Sequence, residues 1–181
     1  MKTNIVDESE DYPLEIVRYP HPALSRQSDW IKEITDEIRA LAGNMIGILY
    51  KAHGVALAAP QVGMNSRLIV LDPCAIDQQL PQTRPFAAIN PRIIKTFGQS
   101  VEEEGCLSLP GLWANVSRPT RLTVEYTSLD GDLLEYEASG MMARCFAHEI
   151  DHLDGILFWD RLGKGRRLWY KVKFRRQMAL A

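Results

Sequence analysis

The chain has 181 residues, with 46% hydrophobic residues, 24% charged residues and a formal net charge of -2. That length suits one domain with its own core, and the composition excludes a disordered or low-complexity chain. The near-neutral charge gives no global reason to bind DNA, and no apolar run approaches the roughly 18 residues of a membrane-spanning helix. Residues 1 to 12 carry four acids and one base and are expected to be flexible. They lack the apolar stretch of a secretory signal. Ile31, Ile34, Ile38, Leu41, Met45 and Ile48 recur in steps of three and four, which predicts an amphipathic helix. Thr35 is its expected N-cap, Asp36 and Glu37 suit its first turn, and Gly54 marks its expected end.

Residues 54 to 61 read, by themselves, as a buried strand and turn. Residues 67 to 71 form a β-type run closed by Asp72-Pro73, and residues 74 to 86 read as loop. Residues 87 to 94 and 122 to 126 predict strands; in the second, Leu122, Val124 and Tyr126 alternate with Thr123 and Glu125. Asp130-Gly131 signals a hairpin, with residues 132 to 138 returning. A helix follows over 141 to 153, ended by Gly155. Residues 161 to 176 carry eight bases and no acid, a basic extension that is helical or extended. Strands in mostly antiparallel order with helices at both ends predict an α+β fold, packed around the helix at 141 to 153.

Three cysteines (Cys74, Cys106, Cys145) without a C-x-x-C pair make a disulfide framework improbable and the cytoplasm the expected compartment. His148-Glu149-Ile150-Asp151-His152 is an H-E-x-x-H motif inside the predicted helix. Histidines four apart stand about 40° from one another around a helix axis, so both imidazoles reach one point. Met141 and Cys145 continue that face. Glu149 is about 100° further round, badly placed as a third ligand and well placed as a general base. The alternative is two histidines at the edge of the core with a surface glutamate.

A catalytic divalent metal usually takes three protein ligands and keeps an open position. No Glu or His follows His152, which excludes the thermolysin-like arrangement, and Phe158 stands where a metzincin has its third histidine. Asp154 and Asp160 remain as downstream candidates. Upstream candidates are Cys74, Cys106, His21, His53 and the acids. Cys106 has the most telling context, Glu102-Glu103-Glu104-Gly105-Cys106-Leu107-Ser108, where Gly105 permits a close backbone path beside the thiol.

Three segments resemble the signatures of peptide deformylases, in order and at suitable spacing. Gly54-Val55-Ala56-Leu57-Ala58-Ala59-Pro60-Gln61 is similar to G-x-G-L-A-A-x-Q, Glu104-Gly105-Cys106-Leu107-Ser108 to E-G-C-L-S, and His148-Glu149-Ile150-Asp151-His152-Leu153 to H-E-x-D-H-L. The resemblance extends over residues 14 to 160. It implies that the chain is a single deformylase-like metallohydrolase domain over 1 to 181, which removes the N-formyl group from the methionine that starts a nascent polypeptide. Cys106, His148 and His152 would be the metal ligands and Glu149 the acid/base. The side-chain amide of Gln61 and the backbone N–H of Leu107 would stabilise the oxyanion. Val55, Ala56, Gly105, Met141 and Cys145 are the candidates for the substrate site, where a flexible Met lining suits methionine; the alternative for Val55, Met141 and Cys145 is plain core.

One thiolate and two imidazoles suit Zn²⁺, Fe²⁺, Co²⁺ or Ni²⁺. The resemblance implies Fe²⁺ in the cell, with Zn²⁺ or Ni²⁺ as replacements. The family's C-terminal extension is similarly basic and in some members docks on the ribosome, a partner expected here through residues 161 to 181; the alternative is a solvated helix that offsets the acidic remainder. The sequence departs from the family at three places. Ala56 replaces a second glycine, Ala147 stands where glutamine is common, and Trp113 stands where some relatives carry arginine. The first narrows the substrate's backbone path and the third puts an aromatic face where a charge contact would be. A specialised deformylase, or a deacylase for another small N-acyl amide, is the alternative.

Overall fold

The computed structural model describes residues 14–76 and 84–180. The expected flexibility of residues 1 to 12 therefore lies outside the described residues. Helix α1 spans Asp36–Lys51, with Thr35 in extended backbone at its N-cap. The threonine hydroxyl meets the Glu37 carboxylate and caps no backbone N–H. The helix stops three residues before Gly54, because His53 makes the exit turn at a φ of 51°. Gly54 is needed for a different reason. A Cβ there would fall 2.9 Å from the Leu49 side chain and 3.1 Å from that of Leu107.

A five-stranded antiparallel sheet runs in the order β1 (Ala56–Ala58), β2 (Leu68–Leu71), β3 (Phe86–Phe97), β6 (Arg121–Thr127), β7 (Leu133–Ser139). A separate antiparallel pair joins β4 (Ser100–Gly105) to β5 (Trp113–Arg118). The remaining helices among the described residues are α2 (Pro73–Ile76), α3 (Gly140–Leu153) and α4 (Lys164–Met178). This is the expected α+β architecture, with α3 against the sheet and helices towards both ends.

The unbroken apolar run of β2 follows from its burial on two faces. Leu68 and Val70 point at α1 and cluster with its Leu41, Met45 and Leu49 and with Leu57 of β1. Ile69 and Leu71 point the other way, at Ala143, Phe146 and Ile150 of α3. The period-2 alternation of a strand thus glues α1, sheet and α3 into three layers. A third cluster joins Leu109, Leu112 and Val116 to Phe158, Trp159 and Phe174, and seats α4 on the two-stranded sheet.

Several boundaries differ from expectation. Residues 74 to 86 are not all loop: Asp72 both closes β2 and opens α2, its Oδ1 accepting from the N–H of Cys74 at 3.0 Å and of Ala75 at 3.3 Å. Proline at the first helical position completes that start signal. Residues 77–83 of that segment lie outside the described residues. Strand β3 is longer than predicted and is carried past two register shifts. Strands β4 and β5 have no counterpart among the predicted elements: β4 is acidic, and β5 offers only Ala114 and Val116 as apolar residues on its buried side. The basic extension is helical.

Candidate metal centre

Helix α3 ends at Leu153, and Gly155 takes the left-handed turn at a φ of 70°. A Cβ on Gly155 would lie 2.9 Å from the backbone of Ser25 and Arg26. The last turn of α3, which carries both histidines, is thereby pinned against the N-terminal segment. The Nε2 atoms of His148 and His152 lie 3.2 Å apart, and both rings are buried. Cys106 follows the last residue of β4, and its Sγ lies 3.2 Å from His152 Nε2. The three donor atoms all lie within 4.8 Å of one another.

The other ring nitrogen of His148 is held from behind. Glu104 Oε1 lies 2.5 Å from His148 Nδ1, so the carboxylate accepts the Nδ1 proton and Nε2 faces Cys106. The same carboxylate accepts from Arg118 Nη2 at 2.7 Å and from Arg144 Nη1 at 3.1 Å. Arg118 Nη1 also donates to Asp151 at 2.5 Å, and Asp151 is clasped by Arg161. A chain of buried ion pairs therefore ties β4, β5 and α3 together behind the histidines. Burial works against the Glu104 charge, but His148 and Arg118 hold its carboxyl well below the usual range. Burial alone would push His148 down, yet Cys106 and Glu104 raise it well above its ordinary value. Burial, then the charge of His148, push His152 well below its ordinary value, so that it is neutral.

A thiol, a neutral imidazole and a second imidazole whose far nitrogen is fixed by a carboxylate fit one divalent metal of the borderline-soft kind. Glu149 is on the next face of α3, as its position in the motif implies. It is buried, its Oε2 has no hydrogen-bond partner, and burial pushes its carboxyl up to about 7. A buried carboxylate oxygen left unpartnered is costly unless something else meets it. Gln61 is fixed by its own turn: its Oε1 accepts from the Ala58 N–H at 2.8 Å, which leaves the amide N–H groups directed at the centre, 3.6 Å from Cys106 Sγ.

These groups open on a cavity of about 430 Å³. Val55, Ala56, Gly105, Leu107, Met141 and Cys145 line it, so every substrate-site residue singled out from the sequence reaches it. Met141 is half exposed, at the cavity's rim and not on an inward stripe as its helix position suggests. Burial raises the Cys145 thiol to about 12. Ala147 is turned into the core between α3 and the sheet.

The rejected ligand candidates have other work. His21 caps a short turn by accepting from the Ala23 N–H, Asp154 pairs with Arg67 at 2.7 Å, and Asp160 pairs with Arg167 at 2.6 Å. His53 lines the cavity but does not join the donor group, and Cys74 sits on α2. Sequence reasoning missed Arg118, Arg144 and Glu104 as supports of His148. Asp151, an acid inside the motif itself on a helix predicted to be buried, was the available signal.

Residues 13–167 match the family model described as polypeptide deformylase. A peptide deformylase of Hydrogenovibrio crunogenus is 43% identical over 168 residues, covering 92% of this chain and 95% of the relative. One of Thermodesulfovibrio yellowstonii is 41% identical over 162 residues, covering 90% and 96%. Among solved structures, a peptide deformylase of Thermus thermophilus aligns with a TM-score of 0.80 at 39% identity, over 91% of this chain and 94% of that one. A Synechococcus elongatus peptide deformylase in complex with actinonin aligns with a TM-score of 0.80 at 38% identity, over 90% and 88%.

Proposed function

The chain belongs to the polypeptide deformylase family, and from that premise we propose a role for each group in its site. The protein is a hydrolase that removes the N-formyl group from nascent peptides. We assign Cys106, His148 and His152 as the metal ligands, and Fe²⁺ as the ion in the cell, with Zn²⁺, Ni²⁺ or Co²⁺ as substitutes the same donors accept. When bound, such an ion supplies Lewis acidity, which lowers the pKa of water and polarises a carbonyl.

The chain's own groups do the rest. Glu149 takes a proton from the attacking water and hands it to the leaving amine. A carboxyl pushed up to about 7 is suited to gaining and losing that proton near neutral pH. The negative charge that develops on the formyl oxygen is met by the Gln61 amide, whose orientation is set by the bond from Ala58, and by the Leu107 N–H. One such donor is worth about 10² to 10³ in kcat. Val55, Ala56, Gly105, Met141 and Cys145 receive the methionine. Two edge strands, β1 and β4, flank the cavity, so an extended peptide meets backbone on both sides.

The observation that carries this reading is the meeting of the Cys106 thiol with both Nε2 atoms beside an unpartnered, buried Glu149 oxygen. The test is anaerobic purification with metal analysis, followed by release of formate from a formyl-Met peptide and of acetate from its acetyl twin. The proposal expects about one ion per chain and a strong preference for formyl. Comparable rates on both would favour the deacylase reading.

We further infer a ribosomal partner for α4, whose cations and exposed Trp169 suit a nucleic-acid surface. That reading puts the work of this single domain in the cytoplasm. Co-sedimentation with ribosomes that survives charge reversal of Arg166, Lys173 and Arg176 would contradict it.

A further inference from the structure

Strand β7 closes the five-stranded sheet on the side away from β1, and among the described residues no strand pairs with its far edge. It runs beside β6 in unbroken register, from Leu133 opposite Thr127 to Ser139 opposite Arg121. The outward backbone groups of residues 133 to 139 meet no other backbone group among the described residues. Such an edge is a template for a further strand unless a bulge, a proline or a lysine blunts it. Strand β7 has none of these. What it carries is acid.

The two faces of this edge differ. Glu135 and Glu137 are exposed on the face away from α3, and no ion pair among the described residues engages either. Across the ladder Glu135 meets Glu125, whose charge is already taken by Arg92 at 2.7 Å. The turn before the strand adds Asp130 and Asp132, and residues 128 to 139 contain no base. On the α3 face, Leu134 is 41% exposed at the open edge and Tyr136 is half-buried. Beside residues 136 to 139 lies a second cavity, of about 370 Å³, with Ile76 and Met142 in its lining.

We propose that the free edge of β7 docks an extended basic segment of another polypeptide as an added strand, with lysine or arginine at alternate positions and apolar residues between them. Alternate residues of an added strand fall on opposite faces of the sheet. Cations on one face oppose Glu135 and Glu137, and the residues between them fall over Leu134 and Tyr136, towards the second cavity. Backbone pairing supplies affinity and the alternation supplies selectivity. A second copy of this chain is a poor occupant. In antiparallel pairing centred on Tyr136, each Glu135 faces the other copy's residue 137, and like charges directly opposite are destabilising. The same acids repel a phosphate backbone.

The probe is the peptide acetyl-Lys-Val-Arg-Val-Lys-Val-Arg-amide, which carries no formyl-Met, added to the metal-loaded enzyme. Calorimetric titration reads the affinity, and hydrogen exchange reads the location. Saturable binding that weakens as salt rises is expected, with slowed exchange of amides within 133 to 139. Glu135→Lys together with Glu137→Lys is expected to weaken binding by about tenfold or more, with formate release kept, since neither side chain lines the metal cavity. Serine in place of the peptide's valines should weaken it by about threefold to tenfold. No binding overturns the proposal. Equal binding of a peptide of the same composition, with its cations and valines in two separate blocks, also overturns it, because charge attraction without strand pairing is then sufficient. Binding unchanged in the double variant, or protection that falls on β4 instead, places the peptide elsewhere and overturns it. An unchanged affinity of the serine peptide overturns the part given to the cavity. The exchange pattern of the wild type decides the location even if the double variant does not fold.

Discussion

Glu104 meets His148 on the side of the ring away from Cys106 and His152: Nδ1 and Oε1 are 2.5 Å apart, and the contact joins α3 to the end of β4. Three cations or potential cations converge on this one carboxylate, since Arg118 and Arg144 donate to it as well. The motif histidine is thus aimed by a residue 44 positions upstream.

Glu104→Gln is the first test of that support. The folded carboxyl lies well below its ordinary value of 4.5, so its contribution to stability is present above that value and is lost as pH falls through the folded one. In denaturant titrations the wild type should lose stability below about pH 5, and the variant should show a flatter acid limb. At neutral pH the variant should be less stable by about 3–5 kcal/mol, because Arg118 and Arg144 keep their charges and lose the buried carboxylate they share, Arg118 retaining only Asp151.

Glu149→Gln separates binding from chemistry. The side chain keeps its shape and is not among the donor group, so metal content should stay at the wild-type level. Formate release should fall by about 10² to 10⁴, the usual worth of a positioned acid/base. Loss of the metal together with activity would contradict the role given to Glu149.

Acid should strip the metal before it unfolds the chain. Burial opposes the charge on His148, but Cys106 and Glu104 raise its pKa well above the ordinary value, so an incoming ion has to displace a proton there. Occupancy therefore weakens as pH falls. Dialysis across a pH series with metal analysis measures this, and Cys106→Ser should shift the loss to higher pH.

Two glycines should respond in opposite directions to alanine. At Gly155 the left-handed backbone and a contact at 2.9 Å to the Ser25 and Arg26 backbone predict a loss of about 1–3 kcal/mol. At Gly47, on the exposed side of α1, a Cβ meets nothing within 4 Å. There the lost backbone freedom of the unfolded chain predicts a gain of about 0.5–1 kcal/mol. Calorimetric melting of both variants checks the pair.

The parts of this molecule that follow from local pattern were legible in its sequence. The 3.6-residue period of α1, the alternation in β6 and the Asp130-Gly131 turn each encode their own geometry. The grouping of three potential metal ligands was legible too, because His148 and His152 are neighbours on one helix face and Cys106 belongs to a distinct motif. What could not be read is long-range. Strand β4 is acidic, and Glu104 gives no local sign that Arg118, Arg144 and His148 converge on it. The same holds for Tyr170 and Trp113, 57 positions apart, whose contact depends on where the third core cluster seats α4.

Cys106 hangs from the two-stranded sheet, whereas both histidines ride on the helix packed against the five-stranded one. The reactive centre is therefore a seam, and it reports on how two bodies are docked and not on the health of either. A slippage of about 1 Å between them would leave every strand and helix whole and still cost on the order of 10² in rate. The working part of this enzyme is more perishable than its scaffold, and the buried ion pairs behind the seam are what guard its alignment.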